Sequence, residues 1–148
     1  MKSAILAIFA ISVVSFFMFL GWENQDKGAN EAAARSVASD FIVFRQASFS
    51  VAVERKTSGA ITSPELSAAL PPGQAGSHPW NARVEGGFLY VWGPASDLAV
   101  EIVRDALRGS AAVGRAVNGV ISPSRYNPVP LPAFVSAGSL VSVLGVGF

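Results

Sequence analysis

The only histidine of the chain, His78, sits in the loop sequence SHPW between Ser77 and Pro79. Sequence neighbours cannot make the nucleophile–base geometry of a catalytic triad, and no acid is placed to orient the ring. One histidine without any cysteine is also too few ligands for a zinc site unless several carboxylates converge. They do not converge. Asp97, Glu101 and Asp105 follow one another at helical spacing, with Arg104 and Arg108 three residues on to offset their repulsion. These carboxylates read as a solvated helix face, so neither metal nor acid–base chemistry is expected of them.

The stretch GRAVNG lacks both the lysine and the spacing of a phosphate-binding loop. Phe88, Tyr90 and Trp92 alternate along one strand face, as in a base-stacking platform. Basic residues do not gather around them and the formal net charge is +1, so nucleic acid is not expected as a partner. The stripe is expected instead to be a core face covered by a helix. No catalytic residue, cofactor or metal site emerges, and the chain reads as a non-enzyme. The lack of cysteine also removes disulfides, so 148 residues must rely on their own core or on a partner that covers what they cannot bury.

The elements that would position these residues begin with an apolar run. From Ala4 to Leu20 there is no charge, Pro or Gly, and only Ser12 and Ser15 interrupt. With Gly21 and Trp22 the run reaches roughly the shortest length that crosses a bilayer as a helix. Its end, FFMFLGWEN, offers no small residues for a signal peptidase. Lys2 precedes the run and Glu23 and Asp26 follow it, an asymmetry that favours a cytoplasmic N-terminus. The expectation is an uncleaved membrane anchor through Ala4, Leu6, Phe9, Val13, Phe16, Leu20 and Trp22. The rest of the chain would then lie outside the cytoplasm, tethered to the membrane.

After a polar neck, Asn30 is placed to cap a helix with Glu31 in its first turn. Ala34, Val37, Phe41, Phe44 and Val51 recur at helical spacing, with Ser48 in the same stripe, and the helix should end near Arg55, before the hinge TSG at Thr57–Gly59. That stripe is expected to pack on the protein's own sheet; pairing with another subunit's helix is the other reading. Ser63 is placed as a cap with Pro64 in the first turn, starting a short helix through Leu70, which PPG ends. ARVEGGFLYVWG reads as a hairpin turning on Gly86 and Gly87. A helix follows from about Pro94 to Arg108, with Leu98, Ala99, Ile102, Val103 and Ala106 inward and Gly109 at its C′ position. RAVNGVI at Arg115–Ile121 reads as one strand, SPSRYNPVPLP as an extended loop, and SLVSVLGVGF as a central or covered strand, being apolar on both faces.

The fold class expected is α+β: an N-terminal transmembrane helix, an amphipathic helix, then a small domain with a four-stranded, mainly antiparallel sheet. The divisions would be an anchor at 1–22, a neck and amphipathic helix at 23–59, and a periplasmic α+β domain at 60–148.

LPPG at Leu70–Gly73, Trp80, and the hairpin ending GGFLYVWG at Gly86–Gly93 resemble the short PilM proteins of conjugative, type IVb-like thin-pilus systems. ASDFIVFRQA at Ala38–Ala47 and the N-terminal run fit that family too, and the resemblance spans nearly the whole chain. It differs from the longer, actin-like proteins of the same name, whose nucleotide motifs are missing. The resemblance implies an inner-membrane part of a pilus assembly apparatus serving conjugation, with no catalytic residue and no cofactor. Its partners would be other pilus assembly proteins, the membrane through a single N-terminal span, and a second copy of the chain. The contact surfaces expected are the helix stripe through Phe41 and Phe44, the Pro-rich loop around Tyr126, and the last strand through Leu140 and Val143. A pilin-like minor subunit of the fibre and a secreted periplasmic binding protein are the alternatives. The first lacks a processing glycine ahead of the apolar run, since Met1-Lys2-Ser3 leads straight into it.

Overall fold

The computed structural model describes residues 27–74, 79–123 and 127–148 in full, and residues 2–26 as helix backbone alone. The chain divides into two compact units, Met1–Ala33 and Ala34–Phe148. One helix, α1 (Lys2–Arg55), makes up nearly all of the first unit and enters the second. The polar neck therefore does not interrupt it, and Asn30 lies inside the helix instead of capping it. Gly28 is a strongly helix-weakening residue in the neck, and the alanines at 29 and 32–34 offset it.

Within the second unit, α1 buries Ala34, Ala38, Phe41, Phe44, Ala47, Ser48, Val51 and Ala52. This is the expected stripe, widened by alanines, and it packs on the protein's own sheet. The helix stops at Arg55 because Lys56 turns left-handed, with φ 51°. Arg55 then organises the exit. Its Nε donates to Thr57 Oγ1 at 2.6 Å, its Nη groups donate to the carbonyls of Ser58 and Ala60, and it pairs with Glu65 at 3.2 Å.

The hinge that follows contains a two-residue strand, β1 (Gly59–Ala60), before α2 (Ser63–Ala69). The N-cap of α2 is Thr62, one residue earlier than the cap expected at Ser63. The Glu65 carboxylate accepts from the Thr62 N–H at 2.7 Å and from its hydroxyl at 2.8 Å. These two bonds, followed by the nearby Arg55 charge, hold the Glu65 carboxyl below the usual range. Beyond Leu70, Gln74 N–H donates to the Pro71 carbonyl, with Gly73 at φ 87°, so Pro71–Gln74 forms a tight turn with Pro72 and Gly73 at its two central positions.

The remaining elements are β2 (Asn81–Glu85), β3 (Phe88–Gly93), α3 (Asp97–Ala106), β4 (Val113–Val117), β5 (Val120–Ser122) and β6 (Leu140–Gly145). They form a six-stranded sheet in the order β1-β2-β3-β6-β4-β5, antiparallel throughout. The expected four strands become six for two reasons. β1 is too short to show periodicity. RAVNGVI is not one strand but a hairpin, because Asn118 and Gly119 take φ 50° and 75° and reverse the chain in two residues. The last strand is central, between β3 and β4, as its two apolar faces require.

The transmembrane helix of the expected fold class is likewise not found. Among the described residues no helix is long and apolar enough to cross a membrane, and charges recur along α1 from Lys27 to Arg55. The side chains of Ala4, Leu6, Phe9, Val13, Phe16, Leu20 and Trp22 lie outside the described residues.

α3 starts at Ser96, whose hydroxyl accepts from Ala99 N–H, and buries Ala99, Val100 and Val103. Leu98, expected inward, is instead exposed. Arg108 takes the left-handed C′ position, and Gly109 N–H reaches back to the Arg104 carbonyl at 2.7 Å, one residue later than expected. Arg115 of β4 ties α3 to the sheet: it pairs with Asp97 at 2.7 Å and donates to the carbonyls of Ala95 and Gly138.

The sheet has two covered faces. Leu89, Val91, Ala82, Val84 and Leu140 face the helices. Tyr90, Trp92, Val141 and Val143 face the other way, under the segment that carries Val129, Leu131, Phe134 and Val135. The aromatic stripe is therefore not covered by a helix. The alternation of a strand sends Leu89 and Val91 to the helix side, and a loop closes over Tyr90 and Trp92. The same segment protects the sheet edge, since Ile121 N–H donates to Val129 and Leu131 N–H to Gly119.

Ser48 is fully buried on α1, and its hydroxyl has no hydrogen-bond partner among the described residues. An unsatisfied buried hydroxyl destabilises by about 1–3 kcal/mol, and alanine is the better helix former. Ser48→Ala is expected to raise stability by about 1 kcal/mol, read as a thermal midpoint higher by roughly 3–5 °C. A lower midpoint would show that the hydroxyl is held by a partner such as water.

Candidate functional site

Of the residues expected to contact partners, Phe41, Phe44, Leu140 and Val143 lie inside the folded unit. Phe41 is 0 % exposed and meets the Trp80 ring edge-to-face at 5.0 Å. Leu140 and Val143 belong to the central strand, one on each face. Their side chains are already engaged within the chain, so surface pairing through them would require part of the core to open. Tyr126 and His78 lie outside the described residues. Among the described residues no group of three or more His, Cys, Asp or Glu is placed to hold a metal ion.

What the fold does assemble is a concavity of about 390 Å³ at one corner of the sheet. α2 contributes Leu66 and Ser67, with Ser63 in its first turn and Leu70 at its end, and the start of β2 contributes Asn81, Ala82 and Arg83. Trp80 and Phe44 form its inner wall, and Trp92 and Phe134 line it from the loop-covered side. The volume falls in the lower part of the range typical of ligand sites.

Each wall has a local cause. Pro64 and the Glu65 capping bonds set α2 in place beside β1. Trp80 is held by Phe41 and by its Nε1–H, which donates to Asp40 Oδ2 at 3.1 Å. Gly93 lets the Trp80 ring lie against the backbone of β3: a Cβ there would come within 2.5 Å of the ring. This contact joins two of the sequence signatures, the isolated tryptophan and the glycine that ends GGFLYVWG. Phe134 meets Tyr90 edge-to-face at 5.6 Å and Trp92 at a tilt at 5.3 Å. Burial pushes the Tyr90 hydroxyl's pKa up.

Arg83 is the charged residue of this lining. Its guanidinium lies over the Phe134 ring, 4.8 Å from the centroid. Its contact with Glu85 is loose, 3.8 Å between two part-exposed side chains, and its buried Nε has no acceptor among the described residues. Arg83 and Phe134 were not among the expected site residues. Arg83 was within reach of sequence reasoning, because a turn at Gly86-Gly87 sets Arg83 opposite Tyr90 and Asn81 opposite Trp92. Phe134 was not, since it arrives from a loop some forty residues away.

Elsewhere, Arg45 of α1 reaches the central strand, where its Nε donates to the buried Ser142 hydroxyl at 2.8 Å. Desolvation lowers its pKa from the usual arginine value. The arrangement cross-links helix and sheet.

No curated protein matches the chain. Among solved structures it is similar to a crystal structure of a PilM protein from Escherichia coli B7A, with a TM-score of 0.56 and 20% identity, covering 76% of this chain and 92% of that one. At that identity the likeness shows a shared fold. The sequence profile of the PilM family matches residues 8–143, from the apolar N-terminal run to the central strand β6. The chain belongs to the PilM family of pilus-related proteins.

Proposed function

We propose that the chain is a non-catalytic scaffold of a type IV thin-pilus assembly apparatus that serves conjugation. The N-terminal apolar segment holds it at the bacterial inner membrane, and the sheet domain stands on the periplasmic side, where it meets other pilus assembly proteins. The observation that carries this reading is the family match over residues 8–143, which takes in the apolar segment and the folded unit together. The charge asymmetry around residues 4–20 supports the orientation.

Photo-crosslinking residues placed in cells at exposed positions such as Phe88 and Leu98 test it. Capture of pilus assembly components there, with none from buried Leu140, is the expected result. If no exposed position captures a pilus component, the scaffold reading fails.

A pilin-like minor subunit is the second reading. The continuous helix α1, packed along its C-terminal half on an antiparallel sheet, favours it. Mass spectrometry of sheared pili decides between the two: finding the chain there with a shortened N-terminus would select the subunit.

A further inference from the structure

We infer that α1 carries a yielding segment at residues 27–33, where the helix opens and re-forms under native conditions and so lengthens the connection to the sheet unit without unfolding it. This deepens the scaffold reading and rests on it for one point, that the membrane holds the N-terminal segment.

The support for the helix changes abruptly at Ala34. Every side chain from Lys27 to Ala33 is exposed, and Ala34 is the first buried one among the described residues of α1. From there on the helix is fastened to the sheet by Phe41, Phe44 and their small neighbours. A helix without a packed face is marginal in water when shorter than about 12–15 residues. A stretch with no buried apolar side chain is where native proteins open locally at least cost.

Gly28 is a second, independent observation. A Cβ added there would meet nothing within 4 Å, and the residue sits inside the helix, not among the left-handed glycines. Neither packing nor backbone angle requires glycine at this position, yet glycine weakens the helix. Asn30, two residues on, is also a poor helix former. The alanines at 29, 32 and 33 keep the segment helical at rest. Lys27, Glu31 and Arg35 follow one another at four-residue spacing with alternating sign, which favours closing again after an opening.

A helix rises about 1.5 Å per residue and an extended chain about 3.4 Å, so opening all seven residues adds roughly 13 Å of reach. A pull along α1 is met first by the segment with the least packing to lose. Phe41 then stays against Trp80 while the connection lengthens.

Hydrogen–deuterium exchange of the full chain in detergent micelles tests this. Amides of residues 28–34 are expected to exchange on the order of a hundredfold faster than those of residues 41–52. Gly28→Ala should slow exchange in the segment roughly fivefold and leave residues 41–52 unchanged. Glu31→Gln should hasten it about two- to threefold. Equal protection of the two stretches, or exchange that Gly28→Ala does not slow, overturns the inference. The anchoring reading fails by a different result: residues 4–20 exchanging freely in micelles, with the chain released from membranes by sodium carbonate. That outcome removes the membrane anchor and leaves the contrast between residues 28–34 and 41–52 to decide on the yielding segment.

Discussion

Gly93→Ala is expected to destabilise the folded unit by about 1–3 kcal/mol, the range for forcing a methyl group into a packed interior. The new Cβ would stand 2.5 Å from Trp80 Cε3 and 2.8 Å from the Pro79 carbonyl oxygen. The second neighbour is backbone and cannot rotate away. The ring is no freer: Phe41 packs on it, and Asp40 accepts its indole N–H. Gly93 itself is paired with Leu140 of the central strand, so β3 cannot retreat without straining the sheet. Thermal unfolding should show a lower midpoint, and the near-ultraviolet circular dichroism of the tryptophans should change. Gly145→Ala, at a strand glycine with nothing within 4 Å, is the control and should be close to neutral. In a Trp80→Leu background the Gly93→Ala penalty should shrink, because the two residues share one contact. An additive double variant would show that the ring contact is not what fixes Gly93.

Phe41→Ala has the largest expected effect, about 3–5 kcal/mol. The other residues that α1 buries in this cluster are small, Ala38, Ala47, Val51 and Ala52, so Phe41 and Phe44 are its largest buried side chains. Phe41 is fully buried and also props Trp80. Its loss would open a cavity that the rigid sheet beneath cannot close, and it would loosen one wall of the corner site. Phe88→Ala, at a phenylalanine 48% exposed, should change stability by no more than about 0.5 kcal/mol. Chemical denaturation of the two variants side by side measures the contrast. A Phe41→Ala protein that unfolds at the wild-type midpoint yet loses its crosslinks would make Phe41 a partner contact after all.

The residues that misled and those that informed differ in the range over which their structure is set. Gly86-Gly87 marks the first hairpin, and Asn118-Gly119 carries the same turn signal inside RAVNGVI, where the flanking apolar residues give the pattern of one strand. The stripe from Ala34 to Val51 was legible because a helix repeats its faces every few residues. The stripe Phe88, Tyr90, Trp92 was legible as a face, but not as the face a loop would cover. Asn30 was a plausible cap only if the chain before it were not already helical, and α1 runs straight through.

Residue order therefore settled the α+β class, the position of α1's buried stripe, the first hairpin and the two-faced last strand. Turn chemistry and side-chain alternation act within a few residues, and they survive any tertiary arrangement. The strand order, the burial of Phe41, Phe44, Leu140 and Val143 within one unit, and the corner site came from the folded chain. Gly93 against Trp80 and Phe134 over Arg83 join residues from different elements, and Arg45 reaches Ser142 across 97 positions. Contacts of that range are set by how the sheet closes, which no local pattern encodes.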